Sequence, residues 1–386
     1  MLTFGAFFTF FIFGFIDNLK GAVLPAFLAD LKINYSLGGT ILLGTYTGFM
    51  VASLTAGIIA DLAGHKIVLI LAGGSLATGI IGFSSFSSPI PLIISMCFIG
   101  FGLGSIELGC NALIINLHPQ NKGRFLNLMS VMHGLGSTIS PLFAGILLEK
   151  NYSWRVVYRW DLVLAALIIL FFLFSRIPRQ KASADEQFDL KNIGKISLPP
   201  AILWSFAAIG CYVAFELGIA SWLVEFMQKD RGLDIIQSTR SLSVFFLLIM
   251  LGRFIGSFLV EKFGYAKSVL VCATLASICI LTALLGPSGM AFMIPASGFF
   301  LSIIFPTITA VVSESKMGGS NTILGLLFTC AGLGGILGPW LVGIMADLGG
   351  LKVGFGMNFI YGAILVALST RLLTTDKITS PAQELI

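Results

Sequence analysis

The sequence predicts an all-α membrane protein, with twelve transmembrane helices arranged as two six-helix bundles related by a pseudo-two-fold axis. Three observations carry that expectation. The chain of 386 residues is 56% hydrophobic and only 11% charged, with a mean hydropathy of +0.97, which is far from the balance of a water-soluble domain. Its apolar residues come in blocks of about 20 with polar punctuation rather than as amphipathic faces. Its second half also repeats motifs of the first at a nearly constant offset.

Apolar blocks between polar breaks place the spans at 3–29, 37–62, 66–86, 90–116, 122–149, 154–175, 197–228, 236–262, 267–287, 290–314, 320–347 and 353–373. The even count puts both termini on one side. The first block runs on through Asp17, Asn18, Lys20 and Pro25 without a small-residue cleavage site, so span 1 is expected to be kept rather than removed as a signal peptide. The longest polar break, Arg176 to Ile196, divides the chain. Residues 1–175 are expected to form the N-terminal bundle, 176–196 a cytoplasmic linker and 197–386 the C-terminal bundle. Loops on the side of the termini carry 13 Lys and Arg against 8 on the other, which predicts cytoplasmic termini in an inner membrane.

The repeat is read from two stretches. Gly134-Leu135-Gly136-Ser137-Thr138-Ile139-Ser140-Pro141, with Gly145 and Glu149 beyond it, is matched at an offset of 198 by Gly332-Leu333-Gly334-Gly335-Ile336-Leu337-Gly338-Pro339, with Gly343 and Asp347. Asp61-Leu62-Ala63-Gly64 is echoed by Glu261-Lys262-Phe263-Gly264 at an offset of 200. Two matches at nearly one offset argue for duplication, and parallel six-helix repeats give alternating access by rocking one half on the other.

Charges inside spans are the rarest features. One at mid-bilayer costs roughly 2.5–3.5 kcal/mol on insertion scales, so Asp17, Lys20, Glu107, Glu216 and Arg253 need partners or a watery cavity. Asp17 and Lys20, three apart, can pair on one helix, either as a structural ion pair or as part of a substrate site. Glu107 has no basic residue within two turns and has Gly104, Ser105 and Gly109 as small neighbours. A buried acid without a cation tends to trade its charge for a proton, as a proton-coupling group must, although it could equally tie two helices by hydrogen bonding. Asn111, one turn on, shares its face and can hydrogen-bond a hydroxyl-rich ligand.

Glu216 follows Tyr212 by one turn, with Ser221 and Trp222 beyond. Acid, phenol and indole together suit sugar recognition, while Trp222 could instead belong to an interfacial belt. His133, three residues after Ser130, is either a packed hydrogen-bonder or a substrate ligand. Arg253 precedes Glu261 by two turns and is expected to act structurally or in gating near the cytoplasmic end.

The segment Gly57-Ile58-Ile59-Ala60-Asp61-Leu62-Ala63-Gly64-His65-Lys66 resembles the loop motif of the major facilitator superfamily, with Leu62 where the pattern has Arg. On that resemblance Gly57 permits close helix contact, Asp61 reaches a neighbouring helix end, Gly64 makes the tight turn and Lys66 fills a basic position. In span 4, Gly100-Phe101-Gly102-Leu103-Gly104-Ser105-Ile106-Glu107-Leu108-Gly109-Cys110-Asn111 resembles the signature of the fucose/galactose/glucose proton symporter family. Asp17-Asn18-Leu19, Phe125-Leu126-Asn127-Leu128, Cys211-Tyr212-Val213, Gly252-Arg253-Phe254 and Phe305-Pro306-Thr307 extend the similarity over nearly the whole chain. The resemblance implies the major facilitator fold, with Glu107 as a proton-coupling and substrate-site group and His133 at a polar position of the family. A second family carboxylate, in span 1, aligns with Gly21, and Asp17 lies four residues earlier on roughly the same face as a substitute.

The expected function is therefore secondary active transport, by proton-coupled symport of a monosaccharide or similar small polar solute bound between spans 1, 4, 5 and 7. Drug or metabolite efflux on the same fold and a non-transporting nutrient sensor remain open, as does sodium in place of the proton. No enzyme is expected, because no nucleophile–base pair or metal-ligand cluster is visible. Cys97, Cys110, Cys211, Cys272, Cys279 and Cys330 all fall in apolar blocks without CxxC spacing, so neither a metal site nor a disulfide framework is indicated. No cofactor and no nucleic-acid partner is expected, and the chain is read as a monomer in the lipid bilayer. The Gly100-x-Gly102-x-Gly104 run has no preceding strand and is read as helix packing rather than a nucleotide loop.

Overall fold

The computed structural model describes residues 1–177, 199–313 and 320–379, and every regular element among them is helical. The first nine helices are α1 (Leu2–Leu31), α2 (Tyr35–Ala63), α3 (His65–Ser85), α4 (Pro89–Leu117), α5 (Lys122–Glu149), α6 (Trp154–Phe174), α7 (Pro200–Lys229), α8 (Ile235–Phe263) and α9 (Tyr265–Leu285). After a 3-10 turn (Ser288–Phe292) come α10 (Met293–Leu301), α11 (Ile304–Ser313), α12 (Ser320–Gly349) and α13 (Leu351–Thr379). Together the described residues make 12 spans long and apolar enough to cross a membrane. Helices overrun their apolar blocks where a polar residue caps them. Asn34 Oδ1 accepts from the Leu37 amide at 3.0 Å, and Asp234 Oδ1 from the Gln237 amide at 2.7 Å.

The duplication extends to element bounds. α7 repeats α1 at an offset of 198, while α8 and α9 repeat α2 and α3 at 200. The turns agree in conformation too. Gly64 and Gly264, with φ of 89° and 82° and ψ of 157° and 147°, end α2 and α8 in a region that side chains avoid, as the tight-turn reading requires. The expected linker lies outside the described residues from position 178 onward; α6 ends at Phe174 and α7 begins at Pro200.

The tenth span departs from the single helix expected over 290–314. Pro306 has no N–H to offer the carbonyl of Ser302, and its ring crowds that carbonyl, so the helix breaks at Ser302–Ile303 between α10 and α11. The released Ser302 carbonyl instead accepts from Nε of Arg253, on α8, at 3.4 Å.

Glycine sets the close helix contacts. A Cβ at Gly100 would overlap the Thr45 carbonyl of α2, and one at Gly48 would overlap the Cys97 carbonyl of α4. Gly102, on the opposite face of α4, would meet Ala72 O of α3 at 2.8 Å. In lipid such backbone approach replaces the hydrophobic drive between helices, and it wedges α4 between α2 and α3. Gly57 does not serve this purpose here, because a Cβ there would find only Leu108 Cδ1, at 4.0 Å.

The two halves meet at the end of the bundle opposite the chain termini. Asp347 of α12 accepts from the first two amides of α2, with Oδ1 on Tyr35 N at 3.0 Å and Oδ2 on Ser36 N at 2.7 Å. Tyr35 Oη donates to Glu225 Oε1 of α7 at 3.2 Å, and Trp340 Nε1 donates to Thr40 Oγ1 at 3.1 Å. Gly21 of α1 packs on the Ala220 carbonyl of α7. Toward the termini, Ser130 of α5 and Arg253 of α8 are exposed. The structure is thus closed at the end of the 31–35 and 349–351 turns.

Candidate functional site

Asp17 is the hub of the site. Its carboxylate pairs with Lys20 Nζ one helical turn on, as the spacing allows, with Lys20 6% and Asp17 19% exposed. Lys20 Nζ also sits over the Tyr46 ring of α2, 4.7 Å from its centroid. The charge of Asp17 reaches Glu107 on α4, His133 on α5 and Glu216 on α7. Both halves therefore contribute to one cluster.

The second half supplies a matching set. Tyr212 Oη donates to the Glu216 carboxylate one turn on. Arg253 acts electrostatically on Glu216 and Tyr212 while its Nε holds the freed Ser302 carbonyl. Arg253 thus touches the span broken at Pro306 and acts on the Tyr212–Glu216 pair as well. Phe305 lies 6.1 Å from Tyr212 and stacks on Phe328 at 6.1 Å, giving this wall an apolar side. Carboxylates, a guanidinium, an ammonium and a phenol linked in this way have the chemistry to form paired hydrogen bonds to a small hydroxylated ligand and exchange protons with it or with water.

Other expected residues have different surroundings. Asn18 Nδ2 donates to Gly14 O at 3.0 Å and to Ser137 Oγ at 2.8 Å, both N–H groups being taken up along the α1–α5 seam. His133 lies on the same seam, with its ring 4.6 Å from that of Phe13 and Nδ1 3.5 Å from Ser137 Oγ. Asn111 is half-buried one turn beyond Glu107, and Ser130 Oγ donates back to Leu126 O at 3.0 Å. Trp222 is fully buried: its Nε1 donates to Pro339 O at 2.8 Å and its ring meets Tyr35 edge-on at 5.6 Å. That places it in the closed interface between α7, α12 and α2, in neither the cluster nor an interfacial belt. Lys66 Nζ donates to Leu173 O and Ser175 O, both at 2.9 Å, and so ties off the end of α6. The side chains of Asp61 and Glu261 lie outside the described set.

Four acids and phenols were not singled out from sequence. Glu225 and Asp347 join the halves, Tyr46 covers Lys20, and Asp161 of α6 is wholly buried beside Tyr158 with neither carboxylate oxygen hydrogen-bonded. Asp161 and Glu225 carried the same signal as Glu107, an acid inside an apolar block.

Known proteins agree with this architecture. The chain is 24% identical over 371 residues to the "Glucose/galactose transporter" of Brucella abortus biovar 1 (strain 9-941), covering 91% of this chain and 89% of the relative. It is 24% identical over 388 residues to the "L-fucose-proton symporter" of Escherichia coli (strain K12), covering 88% and 86%. The crystal structure of a D-xylose-proton symporter superposes with a TM-score of 0.76 at 16% identity, over 96% of each chain. The family profile of the Major Facilitator Superfamily matches residues 6–320 and 241–385. With its twelve spans, its duplicated halves and a charged cluster between them, the chain is a multi-pass membrane protein that belongs to the Major Facilitator Superfamily.

Proposed function

We propose that this protein is a proton-coupled symporter of a monosaccharide or closely similar polar solute, working by alternating access. The carrying observation is the convergence of Asp17, Glu107 and Glu216, from three helices and both halves, around one cation-bearing cluster. Glu107 is the coupling carboxyl. Among the described residues no cation is hydrogen-bonded to it, whereas Asp17 is held by Lys20. The Tyr212–Glu216–Arg253 wall takes the sugar hydroxyls. The likeness to a glucose/galactose transporter and to an L-fucose-proton symporter supports this ligand class. The halves 1–175 and 197–386 rock on each other, with both termini cytoplasmic in an inner membrane. The closed end of the structure then faces outward.

The test is uptake of radiolabelled D-glucose, D-galactose and L-fucose into proteoliposomes under an imposed inward proton gradient, beside Glu107→Gln. The expected result is accumulation by the wild type that collapses with the gradient, and facilitated equilibration only in the variant. Unchanged concentrative uptake by Glu107→Gln would remove Glu107 from the mechanism. Accumulation that instead follows sodium, lost when choline replaces it at fixed pH, would replace the proton as the coupling ion.

A further inference from the structure

The closed end contains a row of buried polar atoms that the contacts between the halves leave over. Ser221, Glu225 and Gln228 are four and three residues apart and so lie one above another along a single face of α7. Ser221 is 1% and Glu225 2% exposed. Glu225 Oε2 and Gln228 Nε2 are buried with no hydrogen-bond partner among the described residues, and the hydroxyls of Ser221 and Tyr46 are buried with no partner but each other and Lys20. Tyr46 comes within interaction range of both Ser221 and Lys20, and Lys20 is paired with Asp17. The row thus leads from the surface turn at Lys229–Gly232 to the centre of the site, through an end that is shut to a sugar. Buried donors and acceptors of this kind normally find water, and three on one face of α7 with Tyr46 beside Ser221 offer it a track.

We propose that this row is a proton path separate from the substrate cavity, with Glu225 as its relay carboxylate. The inference rests on the proton-coupled reading above. A proton from water at the closed end adds to Glu225. Ser221 and Tyr46 hydroxyls, with water between them, each take one proton and pass on their own, ending unchanged. One proton passes by way of the Asp17 carboxylate to Glu107, and Asp17 and Glu225 are again ionised. Lys20, held between Tyr46 and Asp17, guards the inner end, because its cation raises the barrier to every proton that passes and keeps the path from becoming an open leak. The groups acting on Glu225 are Tyr35 of α2, which donates to Oε1, and Lys229 of α7, with Asp347 of α12 beyond Tyr35. The neighbouring element α13 brings apolar Phe355, stacked on Phe226 at 4.3 Å.

Glu225→Gln separates this role from a merely structural one, since Gln keeps an oxygen for Tyr35 but carries no proton. With D-glucose, D-galactose and L-fucose as probes, Glu225→Gln is expected to retain sugar counterflow while losing about a hundredfold in proton-driven uptake rate. Tyr35→Phe, which removes only the Tyr35–Glu225 hydrogen bond, is expected to keep both. Equal proton-driven uptake by Glu225→Gln and wild type would overturn the path but leave the symport reading intact. Equal loss of counterflow and driven uptake would make Glu225 a structural acceptor and overturn the path as well. A wild type indifferent to the gradient would overturn the symport reading, and the path with it.

A sugar-free arm uses Ser221→Cys in a chain whose six native cysteines are replaced by serine. The small reagent 2-aminoethyl methanethiosulfonate, added from the closed side, is expected to label it, while a bulky maleimide is not. Absence of labelling would mean that the row is dry, and the path would fall.

Discussion

Asp347 offers the sharpest test of how the closed end is held. Its two oxygens take the first two amides of α2, and because Asn34 already serves the Leu37 amide, the N-terminus of α2 is satisfied jointly by its own half and the other. Only the contribution of Asp347 is lost when the halves part. A capping side chain contributes about 1 kcal/mol, and a carboxylate at an exposed helix N-terminus adds about 0.3–1 kcal/mol from the macrodipole. Asp347 is exposed, so the lower part of the range applies. Asp347→Ala should therefore cost the closed state about 1.5 kcal/mol, a shift of roughly tenfold toward opening. Asp347→Asn keeps one acceptor and should fall between. Spin labels at position 32, in the α1–α2 turn, and at position 352, in the first turn of α13, report the closed and open populations by pulsed electron resonance. The control is Glu149, which occupies the repeated position in α5, where Asp234 caps α8 from its own half. Glu149→Ala should move the populations by less than about twofold. Unchanged populations in Asp347→Ala, or an equal shift in Glu149→Ala, would refute the reasoning.

Three further outcomes follow from the same structure. Lys20→Met leaves the Asp17 carboxylate without its cation and is expected to cost about 3–5 kcal/mol, seen as a lowered Tm in detergent, with Asp17→Asn/Lys20→Met recovering most of it. No recovery in the double variant would mean that the pair is not the source of the loss. Gly64→Ala and Gly264→Ala each force a side chain into a glycine-only backbone region and should destabilise by about 1–3 kcal/mol, to a similar degree because the two turns are repeats. Thermal unfolding checks this, and a silent change at either would contradict the turn assignment. Asp161→Leu removes a buried acid that has no hydrogen-bond partner and should raise stability by about 1–3 kcal/mol, measured by the same assay. A lowered Tm would show that the carboxyl is paid for by a contact that Leu cannot make.

Much of the architecture is legible in local chemistry. Apolar block length specifies helices, and the Gly64 and Gly264 turns and the Asn34 and Asp234 caps act within a few residues of chain, so the repeat in sequence reappears as a repeat in element bounds. The Asp17–Lys20 pair is equally local, since three residues on a helix place both side chains on one face. The glycines of α4 announce close packing, although not which neighbour each would touch. Gly57 belongs to a matching motif and yet makes no tight contact, because contact depends on where the partner helix lies in this closed-end state.

What the tertiary structure decided was convergence. Glu107, Glu216 and Asp17 were each conspicuous as charges inside spans, but only folding brings α1, α4 and α7 together so that Asp17 acts on the other two carboxyls. Arg253 binds a carbonyl that Pro306 frees on a different span, and Asp347 caps a helix more than 300 residues away in sequence. Trp222, placed with Glu216 by sequence spacing, is turned instead toward Pro339. The physical reason is the same in each case. Helix length, turns and one-turn pairings are governed by neighbours along the chain, whereas a site between two halves depends on the angle and depth at which helices cross, which the chain sets only by packing all of them together.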